Sequence, residues 1–231
     1  MNQARKKAFI EFMLESEVLT FGEFVTKSGR NTPYFLNTGR YRSAGQLKRL
    51  GEFYADTVFD TFGTEVNNLF GPAYKGIPLV VTTGAELLAR HSHDVTITFN
   101  RKEAKDHGEG GTLVGDSYGT PPKGGYRIVL VEDVTTAGTS IRETMPLIEA
   151  MPETQVLGLV VSVDRMERGT GQDSALKELR EAYGFETVSI VNLQDLLRFL
   201  KERADEGAPV VSEEHYEKMI AYSEEYGGSC L

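Results

Sequence analysis

From residue 68 onward the sequence alternates short apolar runs with longer segments of helical periodicity, and this alternation limits the fold more than any other feature. Asn68–Phe70, Val95–Phe99, the Ile-Val-Leu-Val run within Arg127–Glu132, Val156–Val163 and Thr187–Val191 read as strands. Residues 77–91, Thr139–Ala150, Ser174–Tyr183 and Leu193–Ala204 read as helices, with Pro78 in a first turn, where its missing N–H costs nothing. Strands that alternate with helices predict an α/β chain: a central parallel sheet flanked by helices on both faces. Such sheets bind ligands at the carboxyl ends of their strands. Ahead of this region, residues 4–16 carry Phe9, Phe12 and Met13 at helical spacing. Residues 18–38 read as extended, with a turn at Ser28-Gly29-Arg30-Asn31 and a break at Pro33. An amphipathic helix near 43–62 presents Leu47, Leu50, Tyr54 and Val58, with Ser43 as its N-cap. Residues 100–126 hold seven glycines and predict a long polar loop with a hairpin around Thr112–Asp116.

Charge and cysteine content narrow the setting. Among 231 residues, 25 Lys+Arg stand against 34 Asp+Glu, a formal net charge of −9. Binding driven by phosphate neutralisation needs the opposite sign, so nucleic acid is not an expected partner, although a local basic cluster can still hold a small anion. One cysteine, Cys230, forms no internal disulfide, so a reducing, cytoplasmic setting is expected. The N-terminus has basic residues without the apolar core of a secretory signal, and no run approaches a membrane span. No repeat divides the chain, so residues 1–231 read as a single domain with an N-terminal extension.

The strand at 127–132 ends in Glu132 and Asp133, and Val-Thr-Thr-Ala-Gly-Thr-Ser140 leads into a helix. Backbone N–H groups at a helix start form an anion cradle; Thr135, Thr136, Thr139 and Ser140 add hydroxyls, and Gly138 admits close approach. Two carboxylates beside an anion nest would repel a phosphate; they make sense as acceptors for sugar hydroxyls, with the phosphate farther into the loop. The string is neither a GxxxxGK[ST] loop nor a GxGxxG turn. It resembles the phosphoribosyl-pyrophosphate (PRPP) signature of type I phosphoribosyltransferases, with Glu-Asp where many members have Asp-Asp. The resemblance implies that family's fold, with about residues 1–40 forming a small N-terminal hood. It implies that Glu132 and Asp133 bind the ribose 2′- and 3′-hydroxyls. Val134, Thr135, Thr136, Ala137, Gly138, Thr139 and Ser140 would surround the 5-phosphate.

Three more segments are similar to orotate phosphoribosyltransferases: Thr26–Gly39, Gly71–Pro78 and Phe99–Gly111. With the signature they match from about residue 20 to about residue 170, in order and at family spacing. Arg101, Lys102, Lys105 and His107 crowd a glycine-flanked stretch and suit a lid over a polyanion. Lys75 lies in a turn between Gly71 and Gly76, where it can meet pyrophosphate, and the glycines permit unusual backbone geometry. Tyr34-Phe35 offers an aromatic ledge for a planar base, and Arg165 at a strand end suits a carboxylate. The resemblance implies that Lys27, Tyr74, Lys75, Arg101, Lys102, Lys105 and His107 contact PRPP, with Arg101, Lys105 and His107 in the catalytic loop. It implies that Tyr34, Phe35, Thr136 and Arg165 bind orotate, and that Mg²⁺ is carried by PRPP near Glu132 and Asp133 with no dedicated protein cage. It further implies a homodimer in which the 101–111 loop serves the other subunit's site, while Lys102 and Lys75 act in their own. The expected reaction joins orotate and PRPP into orotidine 5′-monophosphate and pyrophosphate, in de novo UMP synthesis, as a stand-alone enzyme. The alternatives are a purine-base phosphoribosyltransferase and a PRPP-sensing regulator on the same fold.

Overall fold

In a computed structural model, residues 2–26, 29–105, 111–116, 121–134, 138–169 and 171–229 are described. Helix α1 (Gln3–Glu15) is followed by an antiparallel pair, β1 (Leu19–Val25) and β2 (Asn31–Leu36). Pro33 lies inside β2 rather than ending it, as an edge strand tolerates. Helix α2 (Ala44–Phe62) starts at a capping box: the Ser43 hydroxyl accepts from Gln46 N–H while the Gln46 side chain accepts from Ser43 N–H.

The main sheet begins with β3 (Asn68–Gly71), which leads into α3 (Gly76–His91) and β4 (Thr96–Lys105). Next come β5 (Gly111–Gly115), β6 (Tyr126–Val134), α4 (Thr139–Glu149), β7 (Thr154–Asp164), α5 (Ala175–Tyr183), β8 (Glu186–Asn192) and α6 (Leu193–Asp205). A last helix, α7 (Glu213–Tyr226), closes the chain. The strand order is β5-β4-β3-β6-β7-β8, with only β5 antiparallel to its neighbour. After β3 the chain adds strands on one side, then crosses to lay β6 on the other side of β3. That reversal is a topological switch point, and it opens a crevice at the carboxyl ends of β3 and β6.

The expected helix cover on both faces is present. Along β6, Val129 and Val131 face a core shared with α1, α2, α3, α6 and α7, while Ile128 and Leu130 face α4 and α5. The expected loop from residue 100 differs: β4 continues through Arg101 to Lys105 and pairs back with β5, making an arm off the sheet edge. Thr96–Asn100 alternates as a strand should, but the charges after it hide the continuation.

The pair β1–β2 is tied to the sheet edge by two threonines. Thr32 Oγ1 accepts from Arg165 at 3.2 Å, and Thr38 Oγ1, just beyond β2, donates to Asp133 at 2.6 Å. The N-terminal hairpin is thereby held over the crevice. Among the described residues, no helix is long and apolar enough to cross a membrane.

Candidate active site

The β3–α3 turn supplies the site's cation. Gly71 and Gly76 press against each other, so that a Cβ on Gly71 would stand 2.3 Å from the Gly76 carbonyl oxygen. Close approach, not a left-handed backbone, is what demands glycine at both positions, since neither has positive φ. The Ala73–Tyr74 peptide bond is cis, and the Asn100 side chain accepts from Ala73 N–H at 2.7 Å. Tyr74 is exposed, while Lys75 reaches back over the crevice.

There Lys75 Nζ lies 2.8 Å from Asp133 Oδ2 and donates to Thr38 Oγ1 at 3.1 Å. Thr38 was not among the expected site residues. Its contact with Asp133 spans 95 positions, and no local pattern announces such a pairing. The Asp133 backbone is fixed too: Ser162 Oγ on β7 donates to its carbonyl oxygen at 2.6 Å. Tyr54 of α2 does the same for the Glu132 carbonyl at 2.7 Å. A cavity of about 170 Å³ lies against this cluster, lined by Thr38, Tyr41, Leu50, Tyr54, Lys75 and Asp133 among others.

The two acids differ in electrostatics. Burial and the neighbouring Asp133 charge push Glu132 up to about 7; the Ser140 hydroxyl and the Asp133 N–H donate to it, and they offset this only in part. Among the described residues Glu132 has no ion-pair partner. Asp133 is also buried, which by itself would raise its pKa, but Lys75 and Thr38 hold it below the usual carboxylate range. The crevice thus presents one neutralised acid and one uncompensated acid, side by side. Magnesium favours such a donor set: oxygen ligands only, one or two carboxylates, the rest of the shell from substrate and water.

Helix α4 starts immediately beyond. Gly138 is its N-cap at φ 68°, left-handed, and a Cβ there would meet the Leu179 side chain at 3.0 Å. The first turn's N–H groups, which lack intrahelical partners, make an anion-binding end. Thr139 is exposed, whereas the Ser140 hydroxyl is engaged by Glu132 Oε2 at 2.8 Å. Val134 ends β6 in register with Val163. Thr135, Thr136 and Ala137, Lys27, and His107 lie outside the described residues.

The expected basic cluster and base pocket are distributed over three places. Arg101 is half-buried and Lys102 exposed on the β4 arm, and Lys105 ends that strand. Arg165, just past β7, is buried at 6 % exposure, and its guanidinium carbon lies 4.3 Å from the Tyr34 ring centre. Tyr34 is buried as well, and its hydroxyl finds no hydrogen-bond partner among the described residues. Phe35 points to the other face of β2, stacks on Phe24 with centroids 5.4 Å apart, and is 40 % exposed. Strand alternation separates the two rings, so they form no common ledge. The structure brings Tyr34 to Arg165 and leaves Phe35 elsewhere.

Comparison with known proteins agrees with this layout. The family model of the phosphoribosyl transferase domain matches residues 38–189. The orotate phosphoribosyltransferase of Clostridium beijerinckii is 49% identical over 225 residues, covering 97% of this chain and 99% of that protein. That of Lachnoclostridium phytofermentans is 50% identical over 222 residues, covering 96% and 97% respectively. A crystal structure of orotate phosphoribosyltransferase from Francisella tularensis aligns with a TM-score of 0.80 at 32% identity, covering 96% of this chain and all of that one. With likeness of this order running through the hairpin, the switch-point crevice and the C-terminal helices alike, the chain belongs to the orotate phosphoribosyltransferase family.

Proposed function

We propose that this chain transfers the 5-phosphoribosyl group of PRPP to orotate at the carboxyl edge of β3, β6 and β7, giving orotidine 5′-monophosphate and pyrophosphate on the route to UMP. The observation that carries the reading is the acid pair, with Asp133 neutralised by Lys75 at 2.8 Å and Glu132 left uncompensated. Near-full-length relatives named for this activity favour it over a purine-base transferase or a PRPP-sensing regulator.

Glu132 and Asp133 accept hydrogen bonds from the ribose 2′- and 3′-hydroxyls, and Val134–Ser140 with the α4 N-terminus hold the 5-phosphate. Lys75 turns from Asp133 to the pyrophosphate, joined by Lys27, Tyr74, Arg101, Lys102, Lys105 and His107. Glu132 and Asp133 would hold the Mg²⁺ that PRPP carries, and when bound it would supply positive charge to the diphosphate. Arg165 reads the orotate carboxylate beside Tyr34 and Thr136, with Phe35 on the opposite face of β2 outside that contact. As pyrophosphate departs from C1 the ring gains oxocarbenium character, and the orotate nitrogen attacks the opposite face. No enzyme nucleophile is required; the residues position two substrates and stabilise charge developing on the leaving group. The arm from Arg101 onward brings its cations over the diphosphate, with Lys105 or His107 as proton carrier. In a homodimer this arm serves the other subunit's site, while Lys75 and Lys102 serve their own, in the cytoplasm.

A spectrophotometric assay of orotate consumption with PRPP and Mg²⁺ tests the reading. Loss of orotate absorbance that depends on both additions is expected. Turnover of adenine or hypoxanthine with none of orotate overturns it.

A further inference from the structure

Three elements distant in sequence meet behind Arg165. Its Nε donates to Glu167 Oε1 at 2.7 Å, and its Nη2 lies 2.6 Å from the same oxygen. Nη2 also donates to Thr32 Oγ1 at 3.2 Å. The Tyr222 hydroxyl, from α7, donates to that same Glu167 oxygen at 2.8 Å. Arg30, next to β2, places Nη1 3.8 Å from Glu167 Oε2. Arg165 and Glu167 are both almost fully buried.

A guanidinium has five N–H donors in a rigid plane. Glu167 and Thr32 occupy the Nε and Nη2 edge, and the Tyr34 ring lies against the guanidinium. The rotation that an arginine keeps about its last bonds is restricted, and among the described residues Nη1 is the nitrogen outside these contacts, left for a ligand. The carboxylate doing this is not free to turn either, because the α7 hydroxyl holds the oxygen that Arg165 uses. Burial opposes the Arg165 charge, and the nearby Tyr34 and Glu167 keep the side chain a cation.

We propose that Glu167 is a positioning residue for the orotate site, and that Tyr222 makes the C-terminal helix a determinant of orotate affinity by fixing Glu167. The inference rests on the reading of Arg165 as the orotate contact. It concerns the base only, since neither residue touches the acid pair or the β3–α3 turn that serve PRPP.

The test is steady-state kinetics of the full chain carrying Tyr222→Phe, Glu167→Gln or Arg165→Lys. Tyr222→Phe keeps the ring that packs edge-on against Tyr34 and loses one hydrogen bond, so the fold is retained. Its KM for orotate rises about fivefold, while the KM for PRPP and kcat stay within about twofold, the split expected when a bond to a charged group is lost behind one substrate only. Glu167→Gln raises the orotate KM further, by about tenfold or more, and Glu167→Ala exceeds Gln, which retains an acceptor oxygen. A merely structural role lowers thermal stability and leaves the orotate KM where it was, or moves both KM values together; either result overturns the inference. Should Arg165→Lys raise the orotate KM while the Glu167 and Tyr222 variants do not, the inference alone falls. Should Arg165→Lys leave it unchanged, the base-site reading and the inference fall together.

Discussion

Glu132 and Asp133 are neighbours in the chain, yet their surroundings act on them oppositely. Burial and the Asp133 charge raise Glu132 to about 7; burial of Asp133 is outweighed by Lys75 and Thr38. The stability consequences follow with opposite signs. Folded Glu132 keeps its proton at pH values where an unfolded glutamate, near 4.5, has lost it. The native state therefore loses stability as pH rises from about 4.5 to about 7, and the loss persists above that window. Asp133 contributes stability above its unfolded value of 3.8, lost as pH falls through its lower native pKa. Glu132→Gln is thus expected to stabilise the ligand-free protein at pH 8 by about 3 kcal/mol, at about 1.4 kcal/mol per pKa unit, while lowering kcat/KM for PRPP strongly. Chemical denaturation at pH 5 and pH 8 checks this: the gain appears at pH 8 and fades at pH 5. A variant no more stable than the parent at pH 8 contradicts a carboxylate buried without a cation. In the parent, kcat/KM for PRPP reports the free enzyme, so it is expected to fall as pH drops through about 7, where Glu132 takes up its proton.

At the scale of elements, the β3–α3 turn shows what the sequence could and could not reveal. The Gly71–Gly76 frame and its lysine were legible, because glycines bracketing a strand end mark a tight turn. The reason for the glycines was not: the two backbones touch, and contact across a turn leaves no periodic trace. Gly76→Ala is expected to displace Lys75 and raise the KM for PRPP about tenfold or more, with thermal stability reduced, since its Cβ would sit 2.6 Å from the Gly71 carbonyl carbon. An unchanged PRPP KM in a folded variant would mean that the turn relaxes without moving Lys75. The strand β6 was legible from its Ile-Val-Leu-Val run, buried on both faces. Helix α7 was not identified, although Ser212 caps it and Met219 and Tyr222 bury one side. Its apolar face is narrow, with acids along the remainder, so the periodicity is weak. Both threonine ties, Thr32 to Arg165 and Thr38 to Asp133, join residues about a hundred or more positions apart. Short polar side chains of this kind look like ordinary strand and turn residues until the fold assembles them.

At the scale of the whole molecule, β4 and β5 stand at the sheet's edge and carry Arg101, Lys102 and Lys105 away from the strands that hold the acid pair. An arm leaving from an edge is well placed to serve a second copy of the chain, and a two-fold dimer would then exchange two arms. Lys105→Ala and Glu132→Gln each disable one half of such a site. In a heterodimer of the two variants, one site combines an intact arm with an intact acid pair, while the other collects both defects. Co-expression with two different tags and purification on both isolates that species. Its kcat is expected to reach about half the parent value, one intact site in two, whereas each homodimer stays nearly inactive. If each arm instead closes over its own subunit, both sites of the heterodimer carry one defect and no activity returns. A doubly tagged species that never forms argues against the dimer itself, so the same preparation separates an arm used in its own subunit from a chain that acts alone.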